Sequence, residues 1–347
     1  MDKVRWGVVG SGGIAKRRTI PEGILPASNA VLTAVFDVDK AANAAVAEAS
    51  GARACASLEE LLAQDVRAVY IATPAWLHRE QALACFAAGK HVLCEKPLGL
   101  NAREAEEMTS AAAAAGLTFG VALMMRFQAQ HQAALKLIRE GRLGQPVMAR
   151  AQLSCWYPPI EGAWRQQPQL GGGGSLIDMG GHTIDLLEMF FGPVTQVACI
   201  TRNRVQSYAT EDTAVALLAF ECGAAGVVDA CFCIPDEASD NVMELYGSRG
   251  SIVGRGTIGQ GSRGSMVARL QGGAAGYDAH QERAASAEIA IDPPPVNPYR
   301  AEIEEFSQAI LEGREPLVPG AAGVRNQRVL DACYESARAA RLVEVEP

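Results

Sequence analysis

Two short stretches of this 347-residue chain carry side chains suited to moving protons. The first is His91-Val92-Leu93-Cys94-Glu95-Lys96-Pro97, an apolar run that stops at a carboxylate, an amine and a proline ring. Preceded by Gly89-Lys90, the run reads as a buried parallel strand entered from a helix C-terminus. Lys96 then stands at the carboxyl end of that strand, the edge at which open parallel sheets bind ligands. Pro97 restricts Lys96 to extended backbone and so aims its amine. The second stretch runs from Gly171 through Ser175 to Asp185, and holds Asp178 and His182. Ser175 suits an N-cap, and Asp178 three residues later would complete a capping box. In a regular helix Asp178, His182 and Asp185 fall at i, i+4 and i+7, on one face, and a histidine between two carboxylates is a tunable acid/base. Each also has a plainer use: Asp178 as a cap, His182 as a core histidine satisfied by Asp185, Asp185 as a surface acid. One nitrogen ligand, with no second histidine near it in sequence, argues against a metal site.

The elements that must position these groups come in two kinds. Val4 to Val9 reads as a strand running into Gly10-Ser11-Gly12-Gly13-Ile14-Ala15, a G-x-G-x-x-A pattern. Gly10 permits the tight turn, Gly12 lets the backbone approach a pyrophosphate, and Ala15 lets the next helix pack close, with its N-terminal N–H groups and dipole turned to the phosphates. A second strand, Val31 to Phe36, ends at Asp37 after a loop expected over Pro21 to Asn29. A carboxylate there would hold an adenosine ribose and repel a 2′-phosphate, which favours NAD over NADP, although Lys16, Arg17, Arg18 and Lys40 supply charge nearby. Helix and strand then alternate: Asp39 to Ser50 closed by Gly51, a capped helix from Ser57, a strand Ala68 to Thr73, a helix to Ala88, the His91 strand, and a helix Ala102 to Ala115. That alternation is a doubly wound parallel sheet. Thr73-Pro74 ends its strand on the ligand edge and would line the nicotinamide side.

After Leu123 the pattern changes. Val147 to Leu153, Val194 to Thr201, Thr213 to Phe220, Gly226 to Ile234 and Val242 to Tyr246 alternate apolar and polar residues, as in an antiparallel sheet with one packed face. The expected division is residues 1–122, a dinucleotide-binding domain, and 123–347, an α+β domain for substrate and oligomerisation. Trp156, Tyr157, Trp164 and Arg165 lie in a Pro/Gly-rich segment where aromatics plug a core edge or stack on a sugar-like ligand, and Arg165 could hold a ligand oxygen. Gly250 to Ala287 reads as strand ends with long loops and carries no motif. Two closing helices, Tyr299 to Glu312 and Gly323 to Leu342, are expected to return beside the first domain.

Composition bounds the rest. Hydrophobic residues at 49% against 20% charged make a globular chain, and a formal net charge of -8 disfavours nucleic acid or an anionic membrane as partner. Nine scattered cysteines without a CxxC pair read as small buried hydrophobes in a reducing compartment. With no signal-peptide pattern and no run of 18 apolar residues, the expected location is the cytoplasm.

Taken together, the glycine fingerprint, Ala72-Thr73-Pro74 with His78, Gly89-Lys90-His91-Val92 through Glu95-Lys96-Pro97, and the Gly-rich Asp178/His182 helix resemble the Gfo/Idh/MocA family of NAD(P)-dependent oxidoreductases. The likeness covers nearly the whole chain; Ala75 departs from it, standing where the family commonly has Asn. The resemblance implies a Rossmann domain joined to an open, mostly antiparallel sheet domain, and hydride transfer between nicotinamide and a secondary alcohol or ketone of a sugar, sugar derivative or cyclitol. It implies cofactor contacts at Gly10, Gly12, Gly13, Ile14, Asp37, Thr73, Pro74, His78, Glu95 and Lys96, and substrate contacts at Lys96, Arg126, Tyr157, Trp164, Arg165, Asp178 and His182. By carry-over, His182 is a general base, Asp178 its orienter and a substrate ligand, and Lys96 the charge on a developing alkoxide, with the choice of proton acceptor between Lys96 and His182 open. A homodimer or homotetramer through the C-terminal sheet is also implied. The rival readings are a redox-neutral enzyme that uses transient oxidation to process glycosides, and a non-catalytic dinucleotide or sugar sensor.

Overall fold

The structure, a computed structural model, describes residues 2–261, 264–271 and 287–347. Short β-rich runs separated by helices of 5 to 13 residues build the first sheet: β1 (Val4–Val9), β2 (Ala30–Phe36), β3 (Arg53–Ala54), β4 (Ala68–Ile71), β5 (His91–Glu95) and β6 (Phe119–Ala122). They lie in the order β3-β2-β1-β4-β5-β6, all parallel, so every strand end meets the same edge. The helices between them are α1 (Lys40–Ser50), α2 (Leu58–Leu62), α3 (His78–Ala87) and α4 (Ala102–Ala114). Local chemistry sets their starts: Asp39 accepts from the N–H groups of Ala41 and Ala42, Ser57 from Glu60, and Asn101 from Glu104. Gly51 closes α1 in the left-handed region at φ 72°.

Of the loop expected over Pro21 to Asn29, the first part, Pro21 to Ile24, is instead helix, and 25–29 form turns. Ala15–Ile24 winds in wide π turns with Pro21 inside it, and Leu25 donates to the Ile20 carbonyl five residues back.

The second sheet takes β7 (Pro146–Ser154), β8 (Val194–Arg202), β9 (Thr213–Phe220), β10 (Ala225–Cys231), β11 (Val242–Gly247), β12 (Gly250–Arg255), β13 (Ser265–Leu270), β14 (Glu288–Ala290) and β15 (Val343–Glu344). Among the described residues their order is β14-β13-β12-β11-β7-β10-β9-β8-β15. One pair, β7 with β10, is parallel, because the chain leaves β7 through helices before returning by β8 and β9. Of the Gly250 to Ala287 stretch, 262–263 and 272–286 lie outside the described residues; the remainder supplies β12 and β13.

One face of this sheet is covered. A core of Leu153, Leu176, Ile184, Leu187, Phe190, Val197, Leu218 and Leu245 lies beneath α5 (Ala129–Arg139), α7 (Gly181–Phe191) and α9 (Gly320–Ala339), while α6 (Pro168–Gly171) is a single turn before the glycine run. α8 (Pro298–Glu312) packs on the Ala15–Ile24 helix; Trp6 donates to Ser307 at 3.1 Å and Asn297 to Glu22 at 2.8 Å. α9 lies against both α4 and β8, so it touches both sheets' layers. No described helix is long and apolar enough to cross a membrane.

Candidate active site

The glycine turn is built for close approach. A Cβ on Gly10, at φ +79°, would stand 2.7 Å from the Ala72 carbonyl carbon and the Thr73 nitrogen, so only glycine lets β1 turn against the end of β4. Gly12 donates its N–H to Asp37 Oδ2 at 2.8 Å, and Asp37 Oδ1 accepts from Asp39 at 2.9 Å. Gly13, at φ +40°, faces open space, and Ile14 leads into a helix whose first turn holds no acid. Open backbone, free helix-start N–H groups and a carboxylate at the end of β2 suit a dinucleotide.

The ends of β4 and β5 are tied together by His78. Its ring nitrogens lie 3.0 Å from the Pro97 carbonyl oxygen and 2.9 Å from the Thr73 carbonyl oxygen, and the side chain is 1% exposed. Both ring nitrogens thus face protein carbonyls, and burial lowers the pKa of the imidazole. Thr73 Oγ1 donates to Gln81 at 2.6 Å, and Ala75 is fully buried behind Pro74. Glu95 also turns to protein partners, taking the Tyr70 hydroxyl at 2.5 Å and the Lys96 N–H at 3.2 Å. Burial pushes its pKa up, against the pull of Tyr70 and Lys96.

Lys96 crosses from the first sheet's edge to the second stretch singled out by the sequence. Its Nζ donates to Asp178 Oδ1 at 2.7 Å and to the Asp178 carbonyl oxygen at 2.8 Å. Arg165 Nε reaches the same Oδ1 at 3.3 Å, and its guanidinium lies over the Trp164 ring, 4.2 Å from the centroid. Burial opposes ionisation, yet Lys96 and Arg165 together hold Asp178 well below the ordinary carboxylate range. His182 goes the other way: burial first, then Lys96, pull its pKa well below that of free histidine, so the imidazole is neutral. Its Nδ1 is buried without a hydrogen-bond partner among the described residues. Tyr157 neighbours Arg165, its ring 5.0 Å from Phe232 and its carbonyl taking the Tyr208 hydroxyl at 2.9 Å.

Leu176–Gly180 is a wide π turn rather than the start of a regular helix, and the rotation per residue differs from the assumed one. Asp185 follows His182 within the regular helix α7, yet its carboxylate turns to Arg126: with 2% of its side chain exposed it accepts from Arg126 Nε at 2.9 and 3.0 Å and from Nη2 at 2.5 Å. Arg126 thus commits its Nε and Nη2 to Asp185. Among the described residues no hydrogen bond joins Asp178 to His182; Asp178 Oδ1 accepts from both Lys96 and Arg165.

Ser175 is not the cap either. Its Oγ is buried without a partner, and the helix start is met by Glu211, whose carboxylate accepts from Gly174 and Leu176, each at 3.0 Å. Glu211 was invisible locally, because it lies in the β8–β9 connection with no motif around it. Cys155, read as a buried hydrophobe, is half-buried beside the site; burial, with Asp178 and Asp236 nearby, pushes its thiol up to about 12.

Comparison with known proteins places these features in a lineage. Two family models match: the Gfo/Idh/MocA oxidoreductase family's NAD-binding Rossmann fold over residues 4–123, and its C-terminal alpha/beta domain over residues 135–345. A 1,5-anhydro-D-fructose reductase of Ensifer adhaerens is 30% identical over 99% of this chain and 98% of its own. A D-xylose 1-dehydrogenase (NADP(+)) of Haloferax volcanii is 29% identical over 98% of this chain and 99% of its own. Among solved structures, an aldose-aldose oxidoreductase of Caulobacter crescentus complexed with glycerol superposes with a TM-score of 0.88 at 25% identity, covering 99% of each chain.

Proposed function

This chain belongs to the Gfo/Idh/MocA oxidoreductase family, and we propose that it moves a hydride between a bound nicotinamide and a secondary alcohol or ketone of a sugar, sugar derivative or cyclitol. The observation that carries this reading is the Lys96–Asp178 contact, 2.7 Å long, which joins the carboxyl end of a cofactor-domain strand to the acid/base helix. The named relatives act on sugars or sugar-like carbonyls, which supports the substrate class.

When bound, the nicotinamide supplies the hydride acceptor or donor. Gly10, Gly12, Gly13 and Ile14 would cradle its pyrophosphate, Asp37 its adenosine ribose, and Thr73 and Pro74 its nicotinamide side. Asp37 and the adjacent Asp39 make a 2′-phosphate costly by like-charge repulsion, so NAD is the proposed cofactor. Two of the three Lys96 Nζ hydrogens are engaged by Asp178, leaving the third to a substrate oxygen. Anchored by that carboxylate, the Lys96 amine donates to the oxygen on which negative charge grows. His182, kept neutral, takes the hydroxyl proton. Asp178 holds Lys96 and Arg165, while Trp164, Arg165 and Tyr157 wall the substrate. We place the domain boundary between residues 122 and 123, self-association on the open face of the second sheet, and the protein in the cytoplasm, where buried free thiols such as Cys85, Cys94 and Cys333 persist.

The test follows reduced-nicotinamide absorbance while the protein, given NAD or NADP separately, meets a panel of sugars, inositols and their glycosides. A rise with NAD and one sugar class is expected. Aglycone release without net reduced nicotinamide would replace this reading with redox-neutral glycoside processing, and a rise only with NADP would overturn the role of Asp37.

A further inference from the structure

The helix carrying Asp178 and His182 is anchored from outside itself. Glu211 Oε1 accepts from Gly174 N–H and Leu176 N–H, each at 3.0 Å, and from the Tyr334 hydroxyl at 2.9 Å; the Glu211 carbonyl takes Ser175 N–H at 3.0 Å. Tyr334 belongs to α9, and α9 returns to the same helix twice more. Asn326 Nδ2 donates to the Gly181 carbonyl at 2.9 Å, immediately before His182, and Arg325 Nε donates to Glu188 at 3.1 Å. The glycine run makes the anchor possible: a Cβ on Gly173 would lie 1.8 Å from the Tyr334 hydroxyl, and one on Gly174 2.0 Å from the Glu211 carbonyl oxygen.

A cap needed only for stability could have been Ser175, which is local and has a suitable hydroxyl. That hydroxyl is left buried and unpartnered, and a carboxylate from another connection takes its place. Between the Glu211 anchor and the Asn326 anchor lies the π turn Leu176–Gly180. Such a turn lacks the regular i to i−4 ladder, so the positions of Asp178 and His182 depend on where its two ends are held. Lys96 arrives from the other sheet, and its 2.7 Å contact with Asp178 requires that the ends not drift.

We propose that Glu211 and Tyr334 are positioning residues for the reaction, fixing the start of the acid/base helix so that Asp178 meets Lys96 and His182 faces the substrate oxygen. This rests on Lys96, Asp178 and His182 being the catalytic group, as proposed above. Neither anchor touches the cofactor cradle, so their loss should fall on turnover rather than on cofactor binding. Misplacing a catalytic group by about 1 Å costs about 10²-fold in rate.

The test measures kcat, KM, NAD affinity and Tm for Glu211→Ala, Glu211→Gln and Tyr334→Phe, using the sugar that gives the strongest reduced-nicotinamide signal, with Lys96→Ala in parallel. Glu211→Ala should lower kcat by about 10²-fold, with NAD affinity near wild type and faster amide exchange over residues 174–182. Glu211→Gln, which keeps an acceptor for the backbone N–H groups, should recover most of kcat, and Tyr334→Phe should lie between. If Glu211→Ala does not fold, the Gln and Phe variants carry the test. Turnover near wild type in the folded variants, or kcat and NAD affinity falling together with Tm, overturns the positioning role. If Lys96→Ala is also near normal, it is the catalytic group that has failed instead.

Discussion

A single lysine shows what the arrangement asks of each residue. Lys96 Nζ spends two hydrogens on Asp178, and the carboxylate it meets is itself held below the usual range by Lys96 and Arg165. Removing Lys96 leaves Asp178 to Arg165 and removes the amine proposed to meet the reacting oxygen. Lys96→Ala is therefore expected to lower kcat by about 10²- to 10³-fold, while NAD affinity, which depends on the glycine turn, stays nearly intact. Steady-state rates and a cofactor fluorescence titration check both halves; near-normal turnover removes Lys96 from the mechanism. The lysine was legible in the sequence because strand end, lysine and proline are contiguous. Its partner was legible only as a residue type, since the contact spans 82 positions and two sheets.

At the scale of elements, helix α8 carries a buried acid with no hydrogen-bond partner. Glu302 is 2% exposed, and neither carboxyl oxygen finds a donor among the described residues. Burial, then Glu95 and Glu305, push its pKa well above that of a free glutamate. Raising a carboxyl pKa on folding makes the unfolded chain lose its proton first as pH rises. Stability from this group is then full below the unfolded value, near 4.3, and falls as pH climbs toward the folded value, by about 1.4 kcal/mol per pH unit. Glu302→Gln, which keeps shape without an ionisable proton, should raise Tm at neutral pH, with the gain shrinking as pH approaches 5. A Tm gain that is flat across that range, or absent, would sink this account. The same element scale explains why some caps were readable and others not. Asp39, Ser57 and Asn101 bond to N–H groups two or three residues on, so sequence spacing suffices. The start of the acid/base helix bonds to Glu211, 37 residues after Gly174, and spacing carries no trace of it.

At the scale of the whole molecule, no helix among the described residues covers the second face of the second sheet. Ile200 opposes Val215, and Leu217 opposes both Ala198 and Val227, and Ile200 and Leu217 are 58% and 57% exposed. Contiguous exposed aliphatics of this kind mark an association surface, and Arg150 and Glu244, an exposed pair, flank it. Ile200→Glu with Leu217→Glu should convert the assembly to monomers in sedimentation while leaving NAD affinity unchanged. An unchanged mass, or a wild-type protein already monomeric, rules out this face.

Sequence alone determined what depends on neighbours in the chain. Gly10, Gly12 and Gly13 specify the tight turn after β1 because they lie within four residues of one loop, the alternation of short apolar runs with helices specifies the parallel sheet, and Pro97 marks where β5 ends. The tertiary structure decided what depends on packing across sheets: that Asp185 belongs to Arg126, that His78 staples two strand ends, and that Glu211 rather than Ser175 holds the acid/base helix. The physical reason is burial: a polar group taken out of water must find whichever partner folding brings near, however far away that partner lies in the chain.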